Sequence, residues 1–375
     1  MITLPEHEWQ RILLLIAFAS AFVQIAYYLL VFLRTGLFKP DSTAISPQPF
    51  SIVLTARNES DNLNRFLKDI LEQLHPQYQV VVVNDCSWDQ TAEVLERFSS
   101  AYDHLKVTTL IEQEKYRHGK KFALAIGIKG ARYDRLVLTD ADCQPSSPQW
   151  AALMASALEP PVEIVIGYGA YRKEKGWLNA WIRYDTAYNA MQYLSFALCG
   201  LPYMGTGRNL AYTRSLFFRH KGFSRHQHIL SGDDDLFVNA AAHRHNTRVQ
   251  LNPLAFTYSV AASSFVDWCR QKRRHMISAI YYRPLHQLLL GLFYASLMLF
   301  YYPLMILLLL KTEPLTIVSI YLLRMVVLLP VTALVFSRLK EKGLLKYTLL
   351  FDLFIAFLYP ILAIINLVNK KHTWK

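Results

Sequence analysis

Paired cysteines are missing from this 375-residue sequence. The four present, Cys86, Cys143, Cys199 and Cys269, stand far apart with no C-x-x-C spacing. They read as reduced cytosolic thiols rather than as a disulfide frame or a zinc site. Zinc-finger spacing and RNA-binding aromatic patterns are absent too, so nucleic acid is not an expected partner. A cleavable leader is not expected either: the N-terminal apolar run is longer than a signal-peptide core and shows no small-residue cleavage site. Acidic residues are the minority, 28 against 40 basic, for a net charge of +12. With nucleic acid set aside, that balance suits anionic lipid or a phosphorylated substrate.

What is abundant is apolar surface. The apolar fraction is 53% and the mean hydropathy +0.17, too high for a plain soluble enzyme. Residues 12–33 hold no charge and are long enough to cross a bilayer, which takes about 20 residues. Three further spans are expected near 288–310, 315–336 and 347–368. Arg324 and Asp352 interrupt the last two. Charges at membrane depth are costly, so each is expected to snorkel or face a neighbouring helix, with mutual pairing as the alternative. Arg34 and Lys39 follow the first span, while Glu6, Glu8 and Arg11 precede it, which favours a cytoplasmic middle domain. Arg338, Lys340, Lys342 and Lys346 come out cytoplasmic as well. Lys370, Lys371 and Lys375 then face outward, against the rule, leaving either an interfacial or re-entrant segment or a tail that breaks the tendency.

The polar middle alternates strand and helix. Strands are predicted at 50–55, 79–84, 106–111 and 135–139; QVVVVN at 79–84 is the β-branched run of a buried parallel strand. A helix follows the first strand through Leu63, Phe66, Leu67, Ile70, Leu71 and Leu74, another covers 119–131, and a third 236–243. Ser87-Trp88-Asp89-Gln90 reads as a capping box. Alternation of this kind gives a parallel sheet with helices on both faces, and ligands bind outside the carboxyl ends of its strands. Arg57-Asn58-Glu59 follows the first strand, Asp85 and Asp89 the second, and Asp140-Ala141-Asp142 the fourth. The acids therefore gather at one edge of one sheet.

A diphosphate leaving group departs more readily when a divalent cation neutralises its developing charge, and magnesium or manganese takes oxygen ligands. Asp140 and Asp142 suit that task. An acceptor hydroxyl needs a base, for which Asp233-Asp234-Asp235 is the candidate; the competing reading is an exposed acidic helix cap. Gly119-Lys120-Lys121 either contacts phosphate at a helix start or is a solvated basic turn. The basic stretch 270–275 grips pyrophosphate or acceptor, or binds anionic lipid.

Together these motifs resemble the family-2 glycosyltransferases, over residues 50–275. The resemblance implies an α/β GT-A domain with a mostly parallel central sheet, accompanied here by transmembrane α-helices. It implies nucleotide contacts from Ala56, Asn58, Glu59 and Asp85, and diphosphate and metal binding by Asp140 and Asp142; Lys120 is expected beside them as a supplementary phosphate contact. Gly205-Thr206-Gly207-Arg208-Asn209 resembles the glycine-rich acceptor-side segment, which puts Gly207 and Asn209 beside the acceptor. The family's base precedes a leucine by three residues; that spacing selects Asp233 before Leu236, with Asp234 second and Gly232 where an acid often stands. Gln271 and Arg274 match the start of the Q-x-x-R-W motif of membrane-bound synthases, and His275 replaces its tryptophan. The architecture is similar to ceramide glucosyltransferases as well as to polysaccharide synthases.

The expectation is thus an N-terminal anchor at 1–40, a cytoplasmic catalytic domain at 41–275 and a C-terminal membrane domain at 276–375, in a multi-pass protein of the cell membrane. The expected activity is inverting, metal-dependent transfer from a nucleotide-sugar, UDP-linked by preference, to a lipid or glycan acceptor, with Mg2+ or Mn2+ as cofactor and membrane lipids as surroundings. The alternatives are a processive synthase that exports its product and, in another class, a non-catalytic transporter or scaffold. The sequence leaves sugar, acceptor and oligomeric state open.

Overall fold

The computed structural model describes residues 8–40, 45–112, 119–227, 229 and 231–368. Glu6, Lys370, Lys371 and Lys375, which entered the orientation argument, lie outside the described residues. The chain forms two units, one from Lys39 to Tyr282 and one from the segments before and after it, the changes falling at Phe38/Lys39 and Tyr282/Arg283.

The unit Lys39–Tyr282 is α/β. Its strands are β1 (Phe50–Ala56), β2 (Tyr78–Asp85), β3 (Leu105–Leu110), β4 (Arg135–Leu138), β5 (Cys143–Pro145), β6 (Ile164–Ile166), β7 (Gly169–Tyr171), β8 (Leu210–Thr213), β9 (Thr247–Val249) and β10 (Thr257–Ser259). Seven form one sheet in the order β3-β2-β1-β4-β8-β6-β9. Only β8 runs against its neighbours β4 and β6; the remaining pairings are parallel. The other three form a small sheet, β5-β10-β7.

Local chemistry explains the central strands. The four valines of β2 are fully buried, because helices cover both faces of a parallel sheet and no polar face remains. On one face the helix Ser60–Leu71 buries Leu63, Phe66, Leu67, Ile70 and Leu71, a 3–4 spacing that forms one apolar stripe. On the other face lies the helix Lys120–Gly130. It packs closely because Gly127 has no side chain: a Cβ there would sit 2.8 Å from Val53 Cγ1 and 3.1 Å from Val83 Cγ2. The register of β1 against β2 and β4 pairs Val53 with Val81 and Leu138, so all three strands end at the same edge.

The capping box at 87–90 does not form. The helix begins at Thr91, and Asp89 Oδ1 accepts its N–H at 3.0 Å while Asp89 Oδ2 accepts Ser60 N–H at 3.1 Å. Ser87 Oγ instead accepts Asn58 N–H at 3.0 Å. Those side chains tie the loops after β1 and β2 together, a demand from across the sheet that outweighs the local cap.

Among the described residues of the other unit, four helices are long and apolar enough to cross a membrane: Glu8–Leu37, Pro284–Leu309, Pro314–Arg338 and Lys342–Val368. Arg324 and Asp352 do not snorkel; they pair. Nη1 meets Oδ2 at 2.6 Å and Nη2 meets Oδ1 at 3.2 Å, both side chains being wholly buried. Gln24 Oε1 takes a further guanidinium N–H at 3.0 Å, and Tyr301 Oη donates to Asp352 Oδ2 at 2.6 Å. Helices from both ends of the sequence therefore share one polar cluster, since a lone charge in an apolar medium has no other way to be compensated.

Candidate active site

The ends of β1, β2 and β4 carry the acids, and the helix N-terminus at Lys120 supplies the cation that faces them. Lys120 Nζ lies 2.8 Å from Asp140 Oδ1 and 2.9 Å from Asp233 Oδ2. One ammonium thus joins the D-x-D segment to the acidic turn, in a cleft also lined by Thr55, Thr139, Gly207 and Asp234. No side chain caps the helix at Lys120, and Gly119 enters it at φ 149°. Lys121 points elsewhere and donates to the carbonyls of His226 and Ile229 at 2.7 and 3.1 Å.

The acidic turn has distinct assignments for its three aspartates. Gly232 adopts φ 93°, and a Cβ there would lie 2.4 Å from Leu236 Cδ1, so the acid often found at this position does not fit this turn. Asp234 Oδ2 accepts Gly207 N–H at 2.7 Å and Oδ1 accepts Asp235 N–H at 2.8 Å. Asp235 is turned away from the cleft: Oδ1 accepts Leu236 N–H at 2.7 Å, and Oδ2 accepts from the hydroxyls of Ser278 and Tyr282. Burial works against the Asp233 carboxylate, but the Lys120 ammonium outweighs it and holds Asp233 below the usual range. Burial, then the charges of Asp233 and Asp235, push Asp234 up to about 7. Burial and the Asp140 carboxylate push Asp142 up to about 6.

Carboxylate oxygens of Asp140 and Asp142 and the sulfur of Cys143 all lie within 4.8 Å of one another. The two carboxylates are hard oxygen donors, matching magnesium or manganese. The buried Cys143 sulfur lies 3.0 Å from Ser259 Oγ and 3.5 Å from Asp142 Oδ1, and burial holds the thiol well above its ordinary range. It therefore faces Asp142 as a thiol that steadies the carboxylate. Sequence reasoning gave it no role; its place directly after the D-x-D was the available signal.

At the ends of β1 and β2, Asp85 is buried, with Arg57 Nη1 4.0 Å away. Ala56 closes β1, opposite Asn84. Asn58, at φ 57°, accepts Trp88 N–H on Oδ1 at 3.0 Å, and Glu59 Oε2 accepts from Asn62 at 2.6 Å. Arg57 also sits 5.8 Å from the ring of Trp88, whose side chain is 74% exposed.

In the glycine-rich segment 205–209 one residue departs from expectation. Asn209 is fully buried: Nδ2 donates to the carbonyls of Tyr168 and Ala255 at 3.0 and 2.7 Å, and Oδ1 accepts from Trp150 Nε1 at 3.0 Å. Its amide oxygen and nitrogen are thus engaged within the protein. Its neighbour Arg208, which sequence reasoning passed over, lies 4.3 Å over the Tyr171 ring and near enough to Asp142 for mutual charge stabilisation. Gln271 Nε2 donates to Tyr171 Oη at 3.1 Å, linking the helix Phe265–Ser278 to that stack. In the same helix the carbonyl of Arg274 accepts from Ser231 Oγ at 3.2 Å.

A mostly parallel sheet with acids at three strand ends, an acidic turn facing them and a smaller sheet beside the D-x-D defines a nucleotide-sugar transferase of the GT-A fold. The chain belongs to glycosyl transferase family 2: the family 2 model matches residues 51–220, and the family group 2 model matches 137–339, more than half of the sequence. Glycosyltransferase AglE of Haloferax volcanii is 31% identical over 197 residues, 50% of this chain and 60% of that protein. Poly-beta-1,6-N-acetyl-D-glucosamine synthase of Staphylococcus aureus is 31% identical over 104 residues, 28% of this chain and 24% of that one. The chain therefore covers less than two thirds of either relative. The mannosyltransferase PcManGT of Pyrobaculum calidifontis, solved with GDP-Man and Mn2+, matches with a TM-score of 0.61 at 20% identity, covering 96% of this chain and 100% of its own, which establishes likeness of fold.

Proposed function

We propose that this glycosyltransferase carries out an inverting, single-displacement transfer from a nucleoside diphosphate sugar to a lipid or glycan hydroxyl at the membrane surface. The observation that carries the reading is the shared ammonium: Lys120 touches both Asp140 and Asp233, so the diphosphate side and the base side open on one cleft. Asp233 removes the acceptor proton; the freed oxygen attacks the anomeric carbon as the bond from that carbon to the diphosphate breaks. Lys120 and Arg208 meet the charge left on the leaving group. Asp140 and Asp142 hold a divalent cation, which adds Lewis-acid stabilisation of the diphosphate when bound. Asp85, with the loop Ala56–Glu59, receives the nucleoside. Binding of GDP-Man and Mn2+ by PcManGT, a protein of like fold, supports a metal-assisted nucleotide-sugar donor.

Asp234 is the brace. Both its oxygens accept backbone N–H groups, whereas Asp233 Oδ2 faces the cleft through Lys120. We assign an anchor at 1–40, a catalytic domain at 41–275 and a membrane domain at 276–375, with the catalytic domain on the cytoplasmic face of the cell membrane. Arg34 and Lys39, with Arg338, Lys340, Lys342 and Lys346, support that side.

The test is release of nucleoside diphosphate by the full-length protein from a panel of UDP- and GDP-sugars, with added Mn2+ or with EDTA. Turnover of one donor that EDTA abolishes is expected. No turnover of any donor in the presence of membrane lipid acceptors would remove the reading, and undiminished turnover in EDTA would remove its metal.

A further inference from the structure

We propose that Ser278 and Tyr282, which stand shortly before the chain continues as the apolar helix Pro284–Leu309, position the base-bearing turn by holding Asp235. The inference rests on Asp233 being the base. Asp235 sits two residues from it, is 5% exposed, and lines no part of the cleft. A buried carboxylate is costly unless its oxygens are well used. Here Oδ1 takes the N–H of Leu236, and Oδ2 takes the hydroxyls of Ser278 and of Tyr282, the latter at 2.7 Å. Tyr282 is itself buried, its ring 5.7 Å from that of Tyr203. The carbonyl of Tyr203 accepts from Asn239 at 2.8 Å, on the helix Asp235–Ala241 that the acidic turn opens.

A second tie stands at the other end of the turn, where Ser231 Oγ donates to the carbonyl of Arg274 at 3.2 Å. The turn is thereby fastened at both ends to the segment 274–282. The same helix carries Gln271, which reaches the stack of Tyr171 and Arg208 beside Asp142. Base, leaving-group side and juxtamembrane segment are therefore one connected piece. An apolar residue at 235 would fill the same space without fixing a direction; the carboxylate, held by two hydroxyls, fixes where the backbone at 233–235 lies. Ser278, Tyr282 and Asp235 act through Asp233 and touch no reacting atom.

The test uses the full-length protein and the donor found by the panel above. Tyr282→Phe removes one hydroxyl and Ser278→Ala the other. Each is expected to lower kcat on the order of tenfold, the cost of a slightly displaced base, while the Kd for UDP or GDP with Mn2+ stays within about twofold. Asp235→Asn combined with Tyr282→Phe should lose no more than the worse single variant, because all three groups form one tie. Unchanged kcat in both hydroxyl variants would overturn the inference. So would a fall in nucleotide affinity as large as the fall in kcat, which marks general loosening of the fold. Wild-type turnover judges the proposed reaction first, so failure of that reading and failure of this one are told apart.

Discussion

Neighbouring aspartates with the same chemistry are separated by what each oxygen touches. Asp233 keeps an oxygen on Lys120 in the cleft, while Asp234 spends both on backbone N–H groups. Asp233→Asn is therefore expected to reduce transfer at least 100-fold, within the range for loss of a general base, with nucleotide affinity nearly intact. Asp234→Asn, which keeps one accepting oxygen, should cost about tenfold or less, as expected of a brace. Rapid-quench turnover alongside calorimetric UDP or GDP binding separates the two; equal losses in both variants would reverse the assignment. Asp234 also makes a stability prediction. Its folded value, about 7, exceeds its ordinary carboxylate value of 3.8. Between those values the folded state keeps a proton that the unfolded state releases, so this group's contribution falls as pH rises from 4 to 7 and is lost above that. The melting temperature of Asp234→Asn should accordingly decline less between pH 4 and pH 7 than that of the wild type.

Elements set how close these residues come. Gly127 lets the helix Lys120–Gly130 lie on β1 and β2, and so brings Lys120 over the strand ends. Gly127→Val should cost about 1–3 kcal/mol of stability by overpacking and weaken nucleotide binding, both measurable on the purified protein. Elements also decide what was legible in the sequence. Strands β1, β2 and β4 could be seen because each is an apolar run followed by polar residues, and their ends gave the acids at once. Strands β6 and β9, three residues each, are too short to present a period, so the right half of the sheet went unseen. The helix Trp177–Leu198 escaped for the opposite reason: it is buried on nearly all sides and has no polar face to set a rhythm. Asn209 could not be placed without knowing that Trp150 and two carbonyls converge on it. The tie from Asp235 to Tyr282 spans 47 residues, beyond any local pattern.

For the whole molecule, the sequence conveyed the family, the sheet edge and the membrane helices, while the pairing inside those helices needed three dimensions. The proposed cytoplasmic placement of the catalytic unit has a direct check. Cys86 and Cys269 are partly exposed. A membrane-impermeant maleimide should label them in inside-out vesicles and leave them unlabelled in sealed right-side-out vesicles; the reverse would invert the topology. Within the membrane unit, Asp352→Ala alone should destabilise by about 3–5 kcal/mol, since it strands a buried guanidinium, and Arg324→Met with Asp352→Leu should recover most of the loss in a detergent melting assay.

That buried pair also constrains biogenesis. An arginine at mid-helix resists lateral release from the translocon by about 2.5–3.5 kcal/mol, and its partner is translated 28 residues later. If these helices span the bilayer, Pro314–Arg338 is expected to linger at the insertion machinery until the helix bearing Asp352 emerges, the two then entering together to meet Gln24. Ribosome-stalled intermediates ending before residue 352 should accordingly remain alkali-extractable to a degree that longer ones do not.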